Sequence, residues 1–242
     1  MGGVRAQLCF TSPPYIDARD YDGSDLSIET LSRFFGELDE YVDLFCVNLG
    51  IIRKDNNVVR YWDEYIEATE EIGLKLLSWN VWNREDPYSM AQQTAMFPIE
   101  HEFIFVFGRD RKDINKTVPN KHAGERTGLT NRQIDGSLSK PEQKTIGLYR
   151  RFGTVFTCRP ASGKDIGHPA MFPIDLPQAY IEACTNQNNI IVDPFLGSGT
   201  TLIACERLNR KCRAVEISPA YCAVAIERWA EMTGQEPVLV TV

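Results

Sequence analysis

The chain has 242 residues, of which 43% are hydrophobic and 24% charged, and it carries a net charge of −7. This size and composition suit one large α/β domain, and no apolar run approaches the roughly 20 residues of a membrane-spanning helix. Arg5 and Gln7 interrupt the first apolar residues, so we expect no signal peptide. The seven cysteines form no Cys-x-x-Cys pair and histidines number three, which favours buried thiols in a reducing cytoplasm over disulfides or a metal site.

Before residue 109, apolar residues recur either at helical spacing or in short strand-like runs. The elements that these patterns predict are a strand over 6–11, a helix over 27–52, a polar turn over 53–57, a strand over 58–61, a helix to about residue 72, and strands over 74–82 and 102–107. Two prolines favour irregular structure over 83–99.

From Arg109 to Lys164 the chain changes character. This stretch holds 13 of the 26 Lys and Arg residues but five of the 33 Asp and Glu residues, and it has little periodicity. Because so long a connection is uncommon inside a compact domain, we interpret it as a functional insertion. Its local positive charge suits phosphate binding despite the acidic total, although a solvated loop with mixed charges is the alternative.

After the insertion, strands and helices alternate again. The predicted elements are a helix over 175–185, a strand over 190–192, a helix from the glycine turn at 197–199 to about residue 208, a strand over 212–217, a helix over 219–233 and a last strand over 238–242. This alternation predicts an α/β fold with a mainly parallel, doubly wound sheet.

The glycine turn has features of a ligand site. Asp193-Pro194-Phe195-Leu196-Gly197-Ser198-Gly199-Thr200-Thr201 places a carboxylate at the end of a strand and a Gly-x-Gly turn at the start of a helix. Glycines allow a tight turn and close approach of a ligand, and free N–H groups suit a carboxylate or phosphate. Asp193 can accept from an ammonium group, and Thr200 and Thr201 can cap the helix or donate. Such a turn also occurs for packing alone.

Glu216 ends the next predicted strand, about 20 residues after the turn. A carboxylate at this spacing can bind both hydroxyls of a ribose, or it can interact with the dipole of the following helix. A site for an amino acid and a ribose, without a lysine in the turn for phosphates, favours S-adenosylmethionine over NAD or ATP.

Thr11-Ser12-Pro13-Pro14-Tyr15 directly follows the first predicted strand. An exocyclic base amine is a poor nucleophile, so two acceptors pulling on its N–H bonds would assist its reaction. The Ser12 hydroxyl and the Pro13 carbonyl can be those acceptors, Pro14 stiffens the backbone, and Tyr15 can stack on an unpaired base. In isolation, however, the segment is more typical of an ordinary Pro-Pro turn.

In combination, these segments resemble the amino-methylating DNA methyltransferases of the circularly permuted β group, in which the catalytic segment precedes the cofactor segment. Ser12 to Tyr15 match the catalytic motif, Asp193 to Thr201 the cofactor motif, and Glu216-Ile217 the ribose-binding acid and its apolar neighbour. His168-Pro169-Ala170-Met171-Phe172-Pro173 matches a segment that contacts the methionine part of the cofactor. The resemblance covers nearly the whole chain outside 109–164.

The resemblance implies a circularly permuted, Rossmann-like seven-stranded sheet with a catalytic half over 1–108, a target-recognition insertion over 109–164 and a cofactor-binding half over 165–242. It implies S-adenosyl-L-methionine as cofactor, double-stranded DNA as substrate, no metal, a cognate restriction endonuclease and a homodimer, in the cytoplasm of a bacterium or in a phage-infected cell. The implied catalytic residues are Ser12, Pro13, Pro14 and Tyr15. The implied cofactor-binding residues are Phe10, Thr11, His168, Phe172, Pro173, Asp193, Phe195, Gly197, Ser198, Gly199, Thr200, Thr201, Glu216 and Ile217. The implied DNA-binding residues are Arg109, Arg111, Lys112, Arg126, Arg132, Arg150 and Arg151, each of which could instead be a solvated surface charge.

Ser12 bears on the choice of target base. Family members that act on adenine N6 usually have Asp or Asn at this position, whereas Ser-Pro-Pro-Tyr and Phe172-Pro173 are typical of cytosine N4 enzymes. The resemblance therefore implies cytosine N4, with adenine N6 as the second candidate. Two further hypotheses are a non-catalytic DNA-binding module with the same fold, and an enzyme that methylates RNA or a protein glutamine.

The sequence departs from the family in one respect. Family members usually carry a Gly-Asp pair before the catalytic strand, and its acid meets the adenine amine of the cofactor. Here Met1 to Arg5 precede the strand and contain no such acid. We expect the adenine contact to come from elsewhere, such as backbone near the C-terminus. Otherwise, we expect a weak cofactor affinity or a truncated chain.

Overall fold

The structure is a computed structural model that describes residues 4–14, 31–85, 97–129, 132–139, 142–160 and 172–240. The predictions for Tyr15 and His168 fall outside these residues. The strands and helices are β1 (Leu8–Thr11), α1 (Phe34–Leu38), β2 (Phe45–Leu49), β3 (Ile52–Lys54), β4 (Asn57–Val59), α2 (Trp62–Glu71), β5 (Lys75–Asn83), β6 (His101–Gly108), β7 (Val118–Pro119), β8 (Arg126–Leu129), β9 (Glu142–Thr145), β10 (Tyr149–Arg150), β11 (Val155–Thr157), α3 (Asp175–Cys184), β12 (Ile190–Asp193), α4 (Thr200–Arg207), β13 (Lys211–Ala214) and α5 (Pro219–Thr233).

A seven-stranded sheet forms the centre, in the order β11-β5-β6-β2-β1-β12-β13. β1 pairs in parallel with β2 and β12, β12 with β13, and β11 with β5. β6 runs antiparallel to both of its neighbours, β2 and β5. The predicted seven-stranded α/β sheet is therefore confirmed as a mixed one. The amino end of β6 lies at the same edge as the carboxyl ends of the other six strands, and this edge is called the carboxyl edge below.

Helices cover both faces of the sheet, because successive side chains of the buried strands point to opposite faces. Cys9 of β1 packs with residues of α1 and α2, including Phe35 and Tyr65, in one apolar cluster. Its neighbours Leu8 and Phe10 pack with residues of α3 and α4 in the other. This doubly wound arrangement agrees with the prediction, whereas circular permutation stays an inference from the resemblance.

The predicted helix over 27–52 is wrong over much of its length. Among the described residues of that range, α1 ends at Leu38 and β2 occupies Phe45–Leu49. Phe45 and Leu49 are four residues apart and so fit a helical pattern, but every residue of β2 is buried. A strand buried on both faces is apolar at most positions, and periodicity alone does not separate it from a helix.

Several shorter predictions also need correction. The turn over 53–57 and the strand over 58–61 are a hairpin of β3 and β4, whose turn residues Asp55 and Asn56 have positive φ. The predicted strand over 212–217 ends at Ala214. Residues 238–240 form no strand and are exposed, because no strand in the described chain pairs with them.

The predicted insertion over 109–164 is only partly separate from the sheet. Val155–Thr157 is β11, which pairs with the end of β5 and forms one edge of the central sheet. Before it, β7 pairs with β10 and β8 with β9, so that the described residues between 118 and 150 make an antiparallel arm. Arg132 bridges Leu138 near the tip, and most described side chains of this β-arm are exposed.

Candidate active site

Three of the predicted segments lie side by side at the carboxyl edge. Ser12 follows β1, the glycine turn follows β12, and Glu216 follows β13. Because these three strands are adjacent and parallel, the segments that leave them share one side of the sheet. Ligands of open α/β sheets bind outside the carboxyl ends of the strands, so this arrangement suits a common site.

A hydrogen bond joins the catalytic and cofactor segments. The Thr11 hydroxyl donates to Oδ1 of Asp193 at 2.6 Å, and the Phe195 backbone N–H donates to the same oxygen at 3.1 Å. Burial raises the pKa of Asp193 to about 6, against the lowering effect of its hydrogen bonds, and the nearby Glu216 carboxylate raises it further. Asp193 is 1% exposed. From this buried position, Asp193 holds the start of the turn in place through its hydrogen bonds.

Backbone geometry explains the two glycines of the turn. Gly197 and Gly199 have φ of 55° and 87°, which are left-handed values that other residues rarely adopt. A Cβ at position 199 would also lie 2.8 Å from the Cβ of Ala225 in α5. The turn is held further by Arg228, which donates to the Ser198 carbonyl and hydroxyl. The two glycines thus allow the tight turn, and Gly199 also allows its close packing against α5.

Glu216 connects the turn to the start of α5. Its two carboxylate oxygens accept from the backbone N–H groups of Gly197 at 2.7 Å and Ser218 at 2.8 Å. The helix-terminal role considered from the sequence is therefore present. A carboxylate has about four acceptor sites, so two remain for a ribose diol. Beside it, the apolar side chain of Ile217 is 96% exposed.

The predicted cofactor residues divide into accessible and buried sets. Phe195, Gly197, Glu216, Ile217 and Phe172 are at least partly accessible. The buried residues are Phe10, Thr11, Pro173, Asp193, Ser198, Gly199, Thr200 and Thr201. Phe10 is fully buried and packs edge-on against Phe172 at 5.7 Å between ring centroids. Direct ligand contact is thus the wrong role for Phe10, which supports Phe172 instead.

A polar network that was not predicted from the sequence lies next to Ser12. Asn48 of β2 donates through Nδ2 to the Ser12 hydroxyl at 3.5 Å and to the Glu102 carboxylate at 2.8 Å. Glu102 of β6 also pairs with Arg84, which follows β5, at 3.3 Å. One signal was visible in the sequence, since Asn48 is a polar residue within the apolar run of β2.

The predicted DNA-binding residues do not form one cluster. Arg109 pairs with Asp39, and Lys112 pairs with Asp43 at 2.7 Å. Burial alone would raise the pKa of Asp43, but hydrogen bonds from Lys112 and Arg5 lower it overall. Because these contacts lie beyond the end of β6, they are at the edge opposite Ser12.

Contact with DNA at the Ser12 site is therefore the wrong role for Arg109 and Lys112. Arg111 and Arg151 share Asp113, at 3.5 Å and 2.9 Å. Arg126, Arg132 and Arg150 lie on the β-arm and are exposed. Their exposure leaves these three arginines accessible to a large polyanion.

No helix in the described ranges is long and apolar enough to cross a membrane.

Comparison with known proteins agrees with the site. A family model described as DNA methylase, N6_N4_Mtase, matches residues 6–227. The chain is 39% identical over 237 residues to the Type II methyltransferase M.ScaI of Streptomyces caespitosus, a match that covers 91% of this chain and 74% of M.ScaI.

Solved structures agree in fold. The cytosine-N4-specific PvuII DNA methyltransferase matches with a TM-score of 0.65 at 18% identity, over 94% of this chain and 82% of PvuII. The M1.HpyAVI–SAM complex matches with a TM-score of 0.61 at 19% identity, over 94% of this chain and 90% of M1.HpyAVI. Since the family model spans most of the chain and the catalytic and cofactor segments meet at one edge, this protein belongs to the N6/N4 family of DNA methylases.

Proposed function

We propose that this protein transfers a methyl group from S-adenosylmethionine to the exocyclic N4 amine of a cytosine in double-stranded DNA, at a defined sequence. The observation that carries the proposal is the Thr11–Asp193 hydrogen bond, which fixes the segment with Ser12 against the glycine turn. A donor at the turn and an acceptor base at Ser12 would then lie next to each other. Orientation of two reactants in this way contributes much of the rate in group transfer.

S-adenosylmethionine is the methyl donor, as in the solved M1.HpyAVI complex. The residues of the turn fit it. Glu216 has free acceptor capacity for the ribose hydroxyls, and the exposed Ile217 offers an apolar surface to the adenine ring. The amino-acid part suits the N–H groups of the turn at the start of α4. The cofactor supplies an electrophilic methyl group on a sulfonium.

Ser12 and Pro13 act on the target amine. The Ser12 hydroxyl and the Pro13 carbonyl each accept one N–H of the amine, which concentrates the nitrogen lone pair and stabilises the positive charge that develops during transfer. As the nitrogen gains the methyl group, S-adenosylhomocysteine leaves, and the nitrogen releases one of its two protons to solvent. Pro13 and Pro14 have no backbone N–H of their own to compete for these contacts. Ser12, rather than an acid or amide, favours cytosine over adenine.

The β-arm is the proposed target-recognition element. A two-stranded ribbon fits the major groove of B-DNA, and Arg126, Arg132 and Arg150 supply positive charge along it. Arg109 and Lys112 have no part in this role. The endonuclease partner and the homodimer that the resemblance implies stay predictions.

The test is to express the protein in a host that lacks DNA methylation and to sequence the host DNA for both modified bases. We expect N4-methylcytosine at one recurring sequence. N6-methyladenine at a recurring sequence would contradict the base assignment, and unmodified DNA together with measurable cofactor binding would indicate a non-catalytic binding module.

A matched variant tests the role of Ser12. Ser12→Ala should lose most methyl transfer and keep the cofactor affinity measured by calorimetry, because Ser12 lies outside the glycine turn. Removal of one transition-state acceptor costs about 10²–10³-fold in rate. Transfer at the wild-type rate by this variant would contradict the role proposed for Ser12.

A further inference from the structure

Four polar side chains form a line across the carboxyl edge of the sheet. Ser12 follows β1, Asn48 is near the end of β2, Glu102 is near the start of β6, and Arg84 follows β5. These four strands are consecutive in the sheet. The antiparallel direction of β6 is what brings Glu102, from the beginning of its strand, to the edge where the other three strands end.

Glu102 is the centre of this line. It is 9% exposed, and its two oxygens are 2.8 Å from Asn48 Nδ2 and 3.3 Å from the Arg84 guanidinium. A buried carboxylate is costly unless it is hydrogen-bonded or paired, so Glu102 holds both partners in place. Asn48 in turn donates to the Ser12 hydroxyl at 3.5 Å. One buried carboxylate thus fixes the catalytic serine on one side and an arginine on the other.

Arg84 has a donor that the described residues do not satisfy. Its Nε is buried, and within the described part of the chain it has no hydrogen-bond partner. The Arg84 side chain as a whole is 32% exposed, which leaves part of it accessible to a ligand. The bond to Glu102 uses Nη1, and the guanidinium is a rigid planar fork that can donate to two adjacent acceptors.

Cytosine and adenine differ in the groups that they would present to Arg84. Cytosine presents its N4 amine, the N3 acceptor and the O2 acceptor in a row. Adenine presents its N6 amine and the N1 acceptor, but then a C–H. Strands about 4.8 Å apart put the ends of β1 and β5 roughly 14 Å from each other. A single base with hydrogen bonds at both sides fits such a gap.

We propose that Arg84 is the specificity-determining residue of the site, and that it donates hydrogen bonds to N3 and O2 of the flipped cytosine while Ser12 accepts from the N4 amine. This inference rests on the proposed function. Glu102 and Asn48 are positioning residues, which keep Arg84 and Ser12 at the separation of the two ends of one base. The preference for cytosine over adenine therefore comes from an arginine on the far side of the base as well as from Ser12.

The test uses a duplex that carries the recurring sequence found by DNA sequencing, with either cytosine or 3-deazacytosine at the target position. The analogue keeps the amine and O2 but replaces N3 by C–H. Methyl transfer is measured in single turnovers with wild type and with Arg84→Lys, which keeps a cation beside Glu102 and loses the planar fork. Arg5→Lys is the matched control, because Arg5 precedes β1 at the opposite edge and pairs there with Asp43.

With cytosine, we expect Arg84→Lys to be roughly 10- to 100-fold slower than wild type, the range for a lost hydrogen bond to a charged group. On 3-deazacytosine, the wild-type rate should fall by about the same factor. The rate of Arg84→Lys should fall little further on the analogue, since the two changes remove the same contact. Cofactor affinity should be unchanged. Equal losses on the analogue for both proteins would overturn the inference.

The wild-type reactions separate this inference from the proposed function. If wild type methylates cytosine and Arg84→Lys does so at the same rate, the inference fails and the proposed function stands. If wild type methylates adenine N6 instead, the base assignment fails and the recognition of O2 by Arg84 fails with it. A loss of folding stability in Arg84→Lys without a loss of transfer would show that Arg84 is only a structural partner of Glu102.

Discussion

The Thr11 hydroxyl donates a 2.6 Å hydrogen bond to Asp193, a residue 182 positions later in the chain. The bond crosses from β1 to β12, and both side chains are buried. It places the start of the catalytic segment against the start of the glycine turn. Any loosening of this contact should therefore affect both the stability of the fold and the alignment of the two segments.

Thr11→Val removes the hydroxyl and keeps the shape of the side chain. We expect the free energy of unfolding to fall by about 1–3 kcal/mol, because a buried carboxylate loses a donor. The pKa of Asp193 should rise further, since that hydrogen bond lowers it. Urea denaturation measures the change, and Thr11→Ser, which retains a hydroxyl, is the control. Equal stabilities of the Val and Ser variants would contradict the importance of the bond.

The stability of the protein should depend on the titration of Asp193. Burial raises its pKa from the ordinary 3.8 to about 6, so the folded state holds the proton more tightly than the unfolded state does. The resulting stabilisation is complete below about pH 4 and is lost as the pH rises through about 6. The difference between the two pKa values corresponds to about 3 kcal/mol.

The variant Asp193→Asn isolates this effect, because it lacks the titrating group. Between about pH 4 and about pH 7.5, wild type should lose about 2.4 kcal/mol of unfolding free energy relative to the variant. Urea denaturation at several pH values measures both proteins. Parallel pH profiles would show that Asp193 has the same pKa in the folded and unfolded states.

Gly199→Ala should destabilise the protein more than its backbone angle alone requires. A left-handed φ costs a non-glycine residue about 1–2 kcal/mol, and the new Cβ would also lie 2.8 Å from the Cβ of Ala225. Gly234→Ala is the control, since Gly234 has a φ of 68° and open space around it. Thermal and urea unfolding of the two variants compare them. Equal losses of stability in Gly199→Ala and Gly234→Ala would indicate that α5 shifts freely away from the turn.

Basic residues of the β-arm should contribute to DNA affinity in a salt-dependent manner. Arg126→Gln and Arg132→Gln should each weaken binding and reduce the slope of log affinity against log salt by about 1, the value for one phosphate contact. Fluorescence anisotropy with a labelled duplex at several salt concentrations measures both quantities.

Arg109→Gln and Lys112→Gln provide the contrast to the β-arm variants. Both residues form ion pairs at the edge opposite Ser12, with Asp39 and Asp43. We expect a loss of about 0–1 kcal/mol in stability, as for surface pairs, and an unchanged salt slope. A reduced slope in these two variants, with none in Arg126→Gln, would place the DNA on the opposite edge.

The glycine turn, the strands β1, β5, β6 and β12, and the helices α2 to α5 were predictable from the sequence, because each depends on local backbone preference and on the period of its apolar residues. Gly197 and Gly199 had to be glycine for a turn of that kind. The alternation of strands and helices indicated a doubly wound α/β sheet, and the resemblance carried by the motifs implied that the sheet has seven strands.

Several features depend instead on contacts between distant residues, which local patterns do not contain. β2 looked helical because its burial on both faces comes from its neighbours β1 and β6. β11 is a strand because β5 offers it a free edge. Arg109 looked like the other basic residues of the insertion until β6 carried it to Asp39.

The candidate site divides in the same way. Composition and motif order identified Ser12, the turn and Glu216 as its parts. The reversed direction of β6 decided that Glu102 joins them and that Arg109 does not, because the direction of a strand determines which of its ends faces the site. Strand direction is set by pairing across the whole sheet, and only the tertiary structure contains that information.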